Sequence, residues 1–239
     1  DFECLVGGLP KEKKWPFFYK APFSPIDVIE EYTRPARYVE NGHLVTKPAM
    51  SDCEYVEIPK VGTLESFNTD GLRSLIHTMP HIPNMKEKTL RYPGHISTVR
   101  ALKESGFFST EKITIGEIEM SPLSFTSQIL FNEWKLKETD EEFTVMTIKI
   151  KGVDLKSQKN KVVMYYLYDE YNKETKTSSM ARTTGYTAAA VANALLNNKI
   201  DMVGVLPPEL LGANEECFIY VLDYLRNRGV NLSVSSHLD

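Results

Sequence analysis

Two long β-rich runs, Phe143–Val153 and Val162–Tyr171, constrain this chain more than any other feature. The polar stretch Asp154–Lys161 joins them as the turn of an antiparallel pair would. In the first run Met146, Ile148 and Ile150 alternate with Thr147, Lys149 and Lys151, so one face of the sheet is wet. The second run, Val162 to Tyr168, is apolar on both faces, which predicts a central position in the sheet.

Shorter signals surround this pair. Phe2 to Val6 reads as a buried strand ending in the turn Gly7-Gly8-Leu9-Pro10. Ser24 followed by Pro25 predicts a capped helix from Pro25 to Tyr32. Asn41-Gly42 between apolar residues marks a hairpin. Glu54–Ile58 and Thr63–Phe67 are expected strands, and Asp70 is expected to cap a helix reaching Met79. Thr89 to Tyr92 reads as a strand stopped by Pro93-Gly94, with a helix from His95 burying Val99 and Leu102. Phe125, Ile129 and Leu130 mark a helix over Ser121–Leu136. Ala188, Val191, Ala192, Leu195 and Leu196, and then Phe218, Val221, Leu222 and Leu225, have helical spacing; Pro207-Pro208 breaks between them, and Gly229 ends the last helix. The fold class is α+β: a mixed, largely antiparallel sheet with helices packed mainly on one face. Residues 1–175 form the main body, and residues 176–239 form a helical annex.

Composition narrows the function. The 239 residues carry a net charge of −4, against a nucleic-acid or anionic-membrane surface as main partner. The longest apolar stretch, Ala188 to Leu196, is far short of a membrane span. Cys4, Cys53 and Cys217 are scattered and lack CxxC spacing, which reads as reduced thiols in a cytoplasmic protein. Asp at position 1, running straight into a strand, suggests an excised domain of a longer enzyme. No G-x-G-x-x-G, P-loop, HExxH or GxSxG pattern is present. His77 and His81 have helical i,i+4 spacing, but Pro80 between them disrupts the helix that would align a metal pair, so no metal site is expected.

Two segments could hold a small ligand. In Thr89-Leu90-Arg91-Tyr92-Pro93-Gly94-His95 a strand delivers Arg91 to a Pro-Gly turn and a helix N-terminus, where a guanidinium and free N–H groups suit a carboxylate. A surface arginine at a strand end is the plainer alternative. In the second segment, Gly7-Gly8 implies close backbone approach or a simple tight turn, and Lys20 beside Tyr19 has either a proton-transfer role or a solvated charge. Thr69 lies in a helix-cap sequence that also suits a polar pocket wall.

These segments resemble the saccharopine dehydrogenase-like family, and within it the lysine 6-dehydrogenase branch. The resemblance rests on Val6 to Pro10, Tyr19-Lys20 with Phe23-Ser24-Pro25, Glu31 to Arg37, Gly62 to Glu65, Thr69 to Leu72, Thr89 to His95, Met180 to Tyr186 and Pro207-Pro208-Glu209. It implies the second domain of a two-domain dehydrogenase. An N-terminal Rossmann domain would bind NAD or NADP; this chain would supply the amino-acid site and the contacts of a homodimer. The helices after residue 175 would pack back toward the Rossmann domain. The implied reaction is oxidative deamination of the lysine ε-amine. Saccharopine oxidation, or a non-catalytic amino-acid-binding or assembly domain, stands as the alternative. Saccharopine-forming relatives carry an arginine where this chain has Thr69, which fits a substrate with one carboxylate, and Val6 stands where they commonly have cysteine. The resemblance makes Arg91 the carboxylate anchor, with Thr89, Leu90, Tyr92, Thr69, Gly8 and Tyr19 around the substrate, and His95 or Lys20 as proton acceptor.

Overall fold

The computed structural model describes residues 1–21 and 25–238. Its strands are β1 (Phe2–Pro10), β2 (Ala36–Glu40), β3 (His43–Lys47), β4 (Glu54–Ile58), β5 (Gly62–Asn68), β6 (Met85–Arg91), β7 (Ile113–Ile115), β8 (Ile118–Met120), β9 (Glu142–Val153), β10 (Asn160–Glu170) and β11 (Leu232–Leu238). Its helices are α1 (Pro25–Thr33), α2 (Leu75–Thr78), α3 (His95–Glu104), α4 (Pro122–Trp134), α5 (Tyr186–Leu196), α6 (Pro208–Gly212) and α7 (Glu215–Arg226); a π turn, Ala181–Gly185, leads into α5.

Nine strands form one sheet ordered β11-β10-β9-β1-β6-β2-β3, and β5 carries β4 onto the far half of β6. Only β1 and β6 run parallel among the described pairs; the rest are antiparallel, as the sequence predicts. The two long runs pair from Asn160↔Val153 to Glu170↔Phe143. β10 has a partner on each side but lies one strand from the edge, because β11, absent from the sequence reading, covers it. The centre belongs to β1 and β6. Asn41 and Gly42 both take positive φ (52° and 79°), the geometry of the tight turn between β2 and β3.

Register places Thr89, Val6, Met146 and Leu167 side by side on one face. Helices cover that face at both ends. Val28, Ile29, Tyr32, Ile96, Val99, Leu130 and Trp134 from α1, α3 and α4 make one core, and Leu225 of α7 packs on Leu167. The opposite face is partly closed by the β4–β5 hairpin: Ile58 and Leu64 pack on Leu9, Leu90 and Phe143, and the Tyr166 hydroxyl donates to the Pro59 carbonyl at 2.6 Å.

Several local expectations change. Gly7 and Gly8 form no turn, since β1 runs on to Pro10. A Cβ on Gly7 would stand 2.7 Å from the Leu90 carbonyl oxygen, so the glycine there allows two strands to approach. The helix expected after Asp70 shrinks to Leu75–Thr78, because Asp70 is instead gripped by Arg37 through two side-chain bonds of 2.9 Å. Ser24, the expected cap of α1, lies outside the described residues. Ser121 does cap α4, yet Phe125 and Ile129 are exposed, and Thr126, Leu130 and Trp134 face inward. In α5 the small Ala190 and Ala194 are buried while Leu195 and Leu196 are exposed. Buried Arg182 of the π turn pairs with Asp169 of β10 and donates to the Arg228 carbonyl, clipping the annex to the sheet. No helix among the described residues is long and apolar enough to cross a membrane.

Candidate functional site

Strand alternation puts Glu87, Thr89 and Arg91 of β6 on the helix-covered face, beneath α1. Arg91 is only 2% exposed. Its Nη2 donates to Glu31 Oε2 of α1 at 2.9 Å, its Nη1 to the Leu90 carbonyl at 2.9 Å and its Nε to the Tyr32 hydroxyl at 3.3 Å. The guanidinium also stacks on the Tyr19 ring, 4.4 Å from its centroid. Burial disfavours the charge, but Tyr32, Tyr19 and Glu31 outweigh it and hold the Arg91 pKa above its ordinary value.

The same bonds fix the state of His95. Its Nδ1 lies 2.7 Å from the Phe17 carbonyl, which can only accept, so the ring proton sits on Nδ1. Nε2 therefore accepts from the Tyr32 hydroxyl at 2.7 Å, and that hydroxyl in turn accepts from Arg91. Burial, then the Arg91 charge, pushes the imidazole down to about 3. His95 is a neutral, fully buried strut at the start of α3.

Beside this cluster opens a cavity of about 280 Å³ whose wall includes Val6, Glu31, Thr69, Glu87 and Thr89. The Thr69 hydroxyl donates to Glu87 Oε2 at 2.6 Å and lies 2.9 Å from the Thr89 hydroxyl. Burial pushes the Glu87 carboxyl up to about 7 against the opposing Thr69 bond, and it raises Glu31 despite the offsetting Arg91 charge. At the mouth, Arg34 pairs with Glu30, and the more exposed Arg73 lies 3.8 Å from Asp70.

The residues singled out from sequence scatter around this arrangement. Thr69 and Thr89 line the cavity, while Arg91 and Tyr19 sit behind it. Leu90 points to the opposite face, fully buried with Leu9 and Leu64. Tyr92 is buried beyond the end of β6, its hydroxyl donating to the Pro10 carbonyl at 3.0 Å. Gly8 is buried inside β1, opposite Thr144. Lys20 belongs elsewhere: its ammonium donates to the Glu133 carbonyl, and it lines a separate depression with Lys11, Glu12 and Lys14. Gly94 takes φ +95° as the α3 cap, and a Cβ there would meet the Phe18 ring at 3.4 Å, so an aromatic ring covers the turn expected to approach a ligand. Sequence reasoning missed Glu31, Tyr32 and Glu87 as site residues. Only Glu87 left a signal, its period-two spacing with Thr89 and Arg91.

Residues 1–230 match the family of saccharopine dehydrogenase C-terminal domains. The chain belongs to that family. The apo histidine-tagged saccharopine dehydrogenase (L-Glu forming) from Saccharomyces cerevisiae has the same fold, with a TM-score of 0.78 over 99% of this chain at 18% identity. This chain spans 66% of the length of that one. For a saccharopine dehydrogenase C-terminal domain, the described residues do not suit a dinucleotide. The glycine fingerprint is missing, and the parallel pair β1–β6 is separated by four strands rather than by a single crossover helix.

Proposed function

We propose that this domain forms the amino-acid site of an NAD(P)-dependent oxidoreductase and that its substrate is lysine, deaminated oxidatively at the side-chain amine. The nucleotide would be held by a Rossmann domain outside this chain. The observation that carries the reading is the cavity over β6: small, with a buried floor of Thr69 and Thr89 hydroxyls and a charged, solvent-facing mouth. Its volume of about 280 Å³ falls at the lower end of small-molecule sites and suits a single amino acid. The wall holds five carboxylates (Asp27, Glu30, Glu31, Asp70 and Glu87) against two arginines (Arg34 and Arg73), and Arg91 and Arg37 behind it pair with Glu31 and Asp70, which leaves one negative charge in excess. That balance favours a ligand with more positive than negative charge to place, which supports lysine over the more acidic saccharopine.

In this reading Arg34 and Arg73 offer charge to the substrate carboxylate at the mouth. Arg91 acts one step behind, since its donors are already engaged by Glu31, Tyr32 and Leu90. It fixes Glu31 at the wall, and His95 fixes Tyr32 against Arg91. Such pre-set geometry is what orients a substrate for transfer at one carbon. The same reading includes a cytoplasmic homodimer, supported by the exposed apolar Val234 and Leu238 of the edge strand β11 and Ile150 and Val153 at the end of β9, and tested by sedimentation.

The deciding assay gives the full-length enzyme lysine or saccharopine with each nicotinamide nucleotide. A higher kcat/KM for lysine is expected; preference for saccharopine rejects the lysine reading.

A further inference from the structure

Glu87 is the one carboxylate deep in the cavity wall with no cation of its own. Arg91 is matched by Glu31. Arg37 and Arg73 attend Asp70, and Arg34 attends Glu30. Among the described residues no lysine, arginine or histidine pairs with Glu87, although its side chain is more than nine-tenths buried. One oxygen, Oε2, is held by the Thr69 hydroxyl at 2.6 Å, the carboxyl also accepts from the Gly71 backbone N–H, and no described side chain donates to Oε1. The carboxyl is also seated against Gly71: a Cβ there would fall 2.2 Å from Oε2, so the chain leaves room for this group in this place.

A buried charge needs a partner, and an unpaired carboxylate in such a site is costly. With Arg91 and Glu31 cancelling, ionised Glu87 leaves the buried cluster one positive charge short. A primary ammonium supplies that charge and brings three donors. From these contacts we infer that Glu87 is the ammonium-binding residue of the cavity, with Oε1 receiving the side-chain amine of the substrate. This rests on the amino-acid site proposed above and adds the group that tells a cationic side chain from an apolar one. Its pKa near 7, a consequence of burial, fits a carboxyl waiting for such a partner.

The test is calorimetric binding of lysine and of norleucine, which keeps the side-chain carbons but lacks the ammonium, to the full-length protein and its Glu87→Gln and Glu87→Asp variants. The full-length protein is expected to bind lysine about tenfold or more tightly than norleucine, the worth of a charge-assisted hydrogen bond. Glu87→Gln should bring lysine down to norleucine, leave norleucine within about twofold, and so report an intact cavity; Glu87→Asp should restore part of the difference. A lysine preference that survives Glu87→Gln overturns the role of Glu87 and leaves the amino-acid site standing. Equal weakening of both ligands shows a structural role and also overturns it. A parent protein that does not distinguish the two ligands, or binds neither, removes both this inference and the lysine reading.

Discussion

Arg91 and Glu31 form an ion pair across the seam between β6 and α1, with Nη2 2.9 Å from Oε2 and side-chain exposures of 3% and 29%. The arginine is the buried partner, so it bears the larger desolvation cost and depends more on the contact. Removing the carboxylate strands a guanidinium that still has the Tyr32 hydroxyl and the Leu90 carbonyl. Glu31→Gln is therefore expected to lower unfolding stability by about 2–3 kcal/mol, below the usual cost of breaking a fully buried pair because Glu31 is partly wet. Urea unfolding at neutral pH measures it; a loss under about 0.5 kcal/mol would mean that solvent screens the pair.

Tyr32 joins the pair to the helix layer by accepting from Arg91 and donating to His95. Tyr32→Phe keeps the ring contacts with Phe67 and Trp134 but leaves His95 Nε2 without its donor. The expected cost is about 2–3 kcal/mol, since His95 Nε2 loses its donor and Arg91 Nε its acceptor. His95 should then change its titration in a histidine-resolved NMR series, whereas unchanged titration would place the Tyr32 proton elsewhere.

Two glycines separate backbone from side-chain crowding. A methyl on Gly7 meets the Leu90 carbonyl and Cβ at 2.7 and 2.9 Å, both fixed by β6. A methyl on Gly71 meets the Glu87 carboxyl, which can swing toward the cavity. Gly7→Ala should thus cost about 2–3 kcal/mol through strand displacement, and Gly71→Ala about 1 kcal/mol or less. Thermal unfolding of the two variants gives the order, and the reverse order would contradict the strand packing.

The legible part of the fold was the part written in local chemistry. The long β9–β10 pair, the Asn41-Gly42 turn and the helix beginning near Ser121 follow from residues near one another in sequence. β11 was not legible because Ser233, Ser235 and Ser236 dilute its β pattern, and it exists by pairing with Tyr165 and its neighbours. The site divides the same way. Arg91 at a strand end was visible, but its partner lies 60 residues away on a helix and no spacing rule connects them. Lys20 looked reactive beside Tyr19, yet the two side chains part, Tyr19 onto Arg91 and Lys20 onto the Glu133 carbonyl. Lys20→Met should accordingly leave lysine kcat and KM within about twofold of the parent enzyme, whereas a loss of about a hundredfold in kcat would return Lys20 to the chemistry.

Glu87 and His95 give folding stability opposite dependences on pH. Glu87 is raised from 4.5 to about 7, chiefly by burial, so between those values the folded chain holds one more proton than the unfolded chain and stability falls as pH rises. His95 is lowered from 6.5 to about 3 by burial and Arg91, so between those values the unfolded chain holds the extra proton and stability falls as pH drops. Each contributes a slope of about 1.4 kcal/mol per pH unit at full occupancy, and from pH 4.5 to 6.5 the two cancel. Glu142, also raised to about 7 by burial, adds a second term of the Glu87 sign. Relative to the parent, Glu87→Gln should tilt the stability curve upward with pH across that window by about 1.4 kcal/mol per unit, and His95→Gln should tilt it downward by the same amount. Denaturant unfolding of the three proteins across this range reads the slopes directly. Parallel curves would show that neither group keeps a shifted proton affinity, and with it the picture of a neutral His95 behind an unpaired Glu87 would fail.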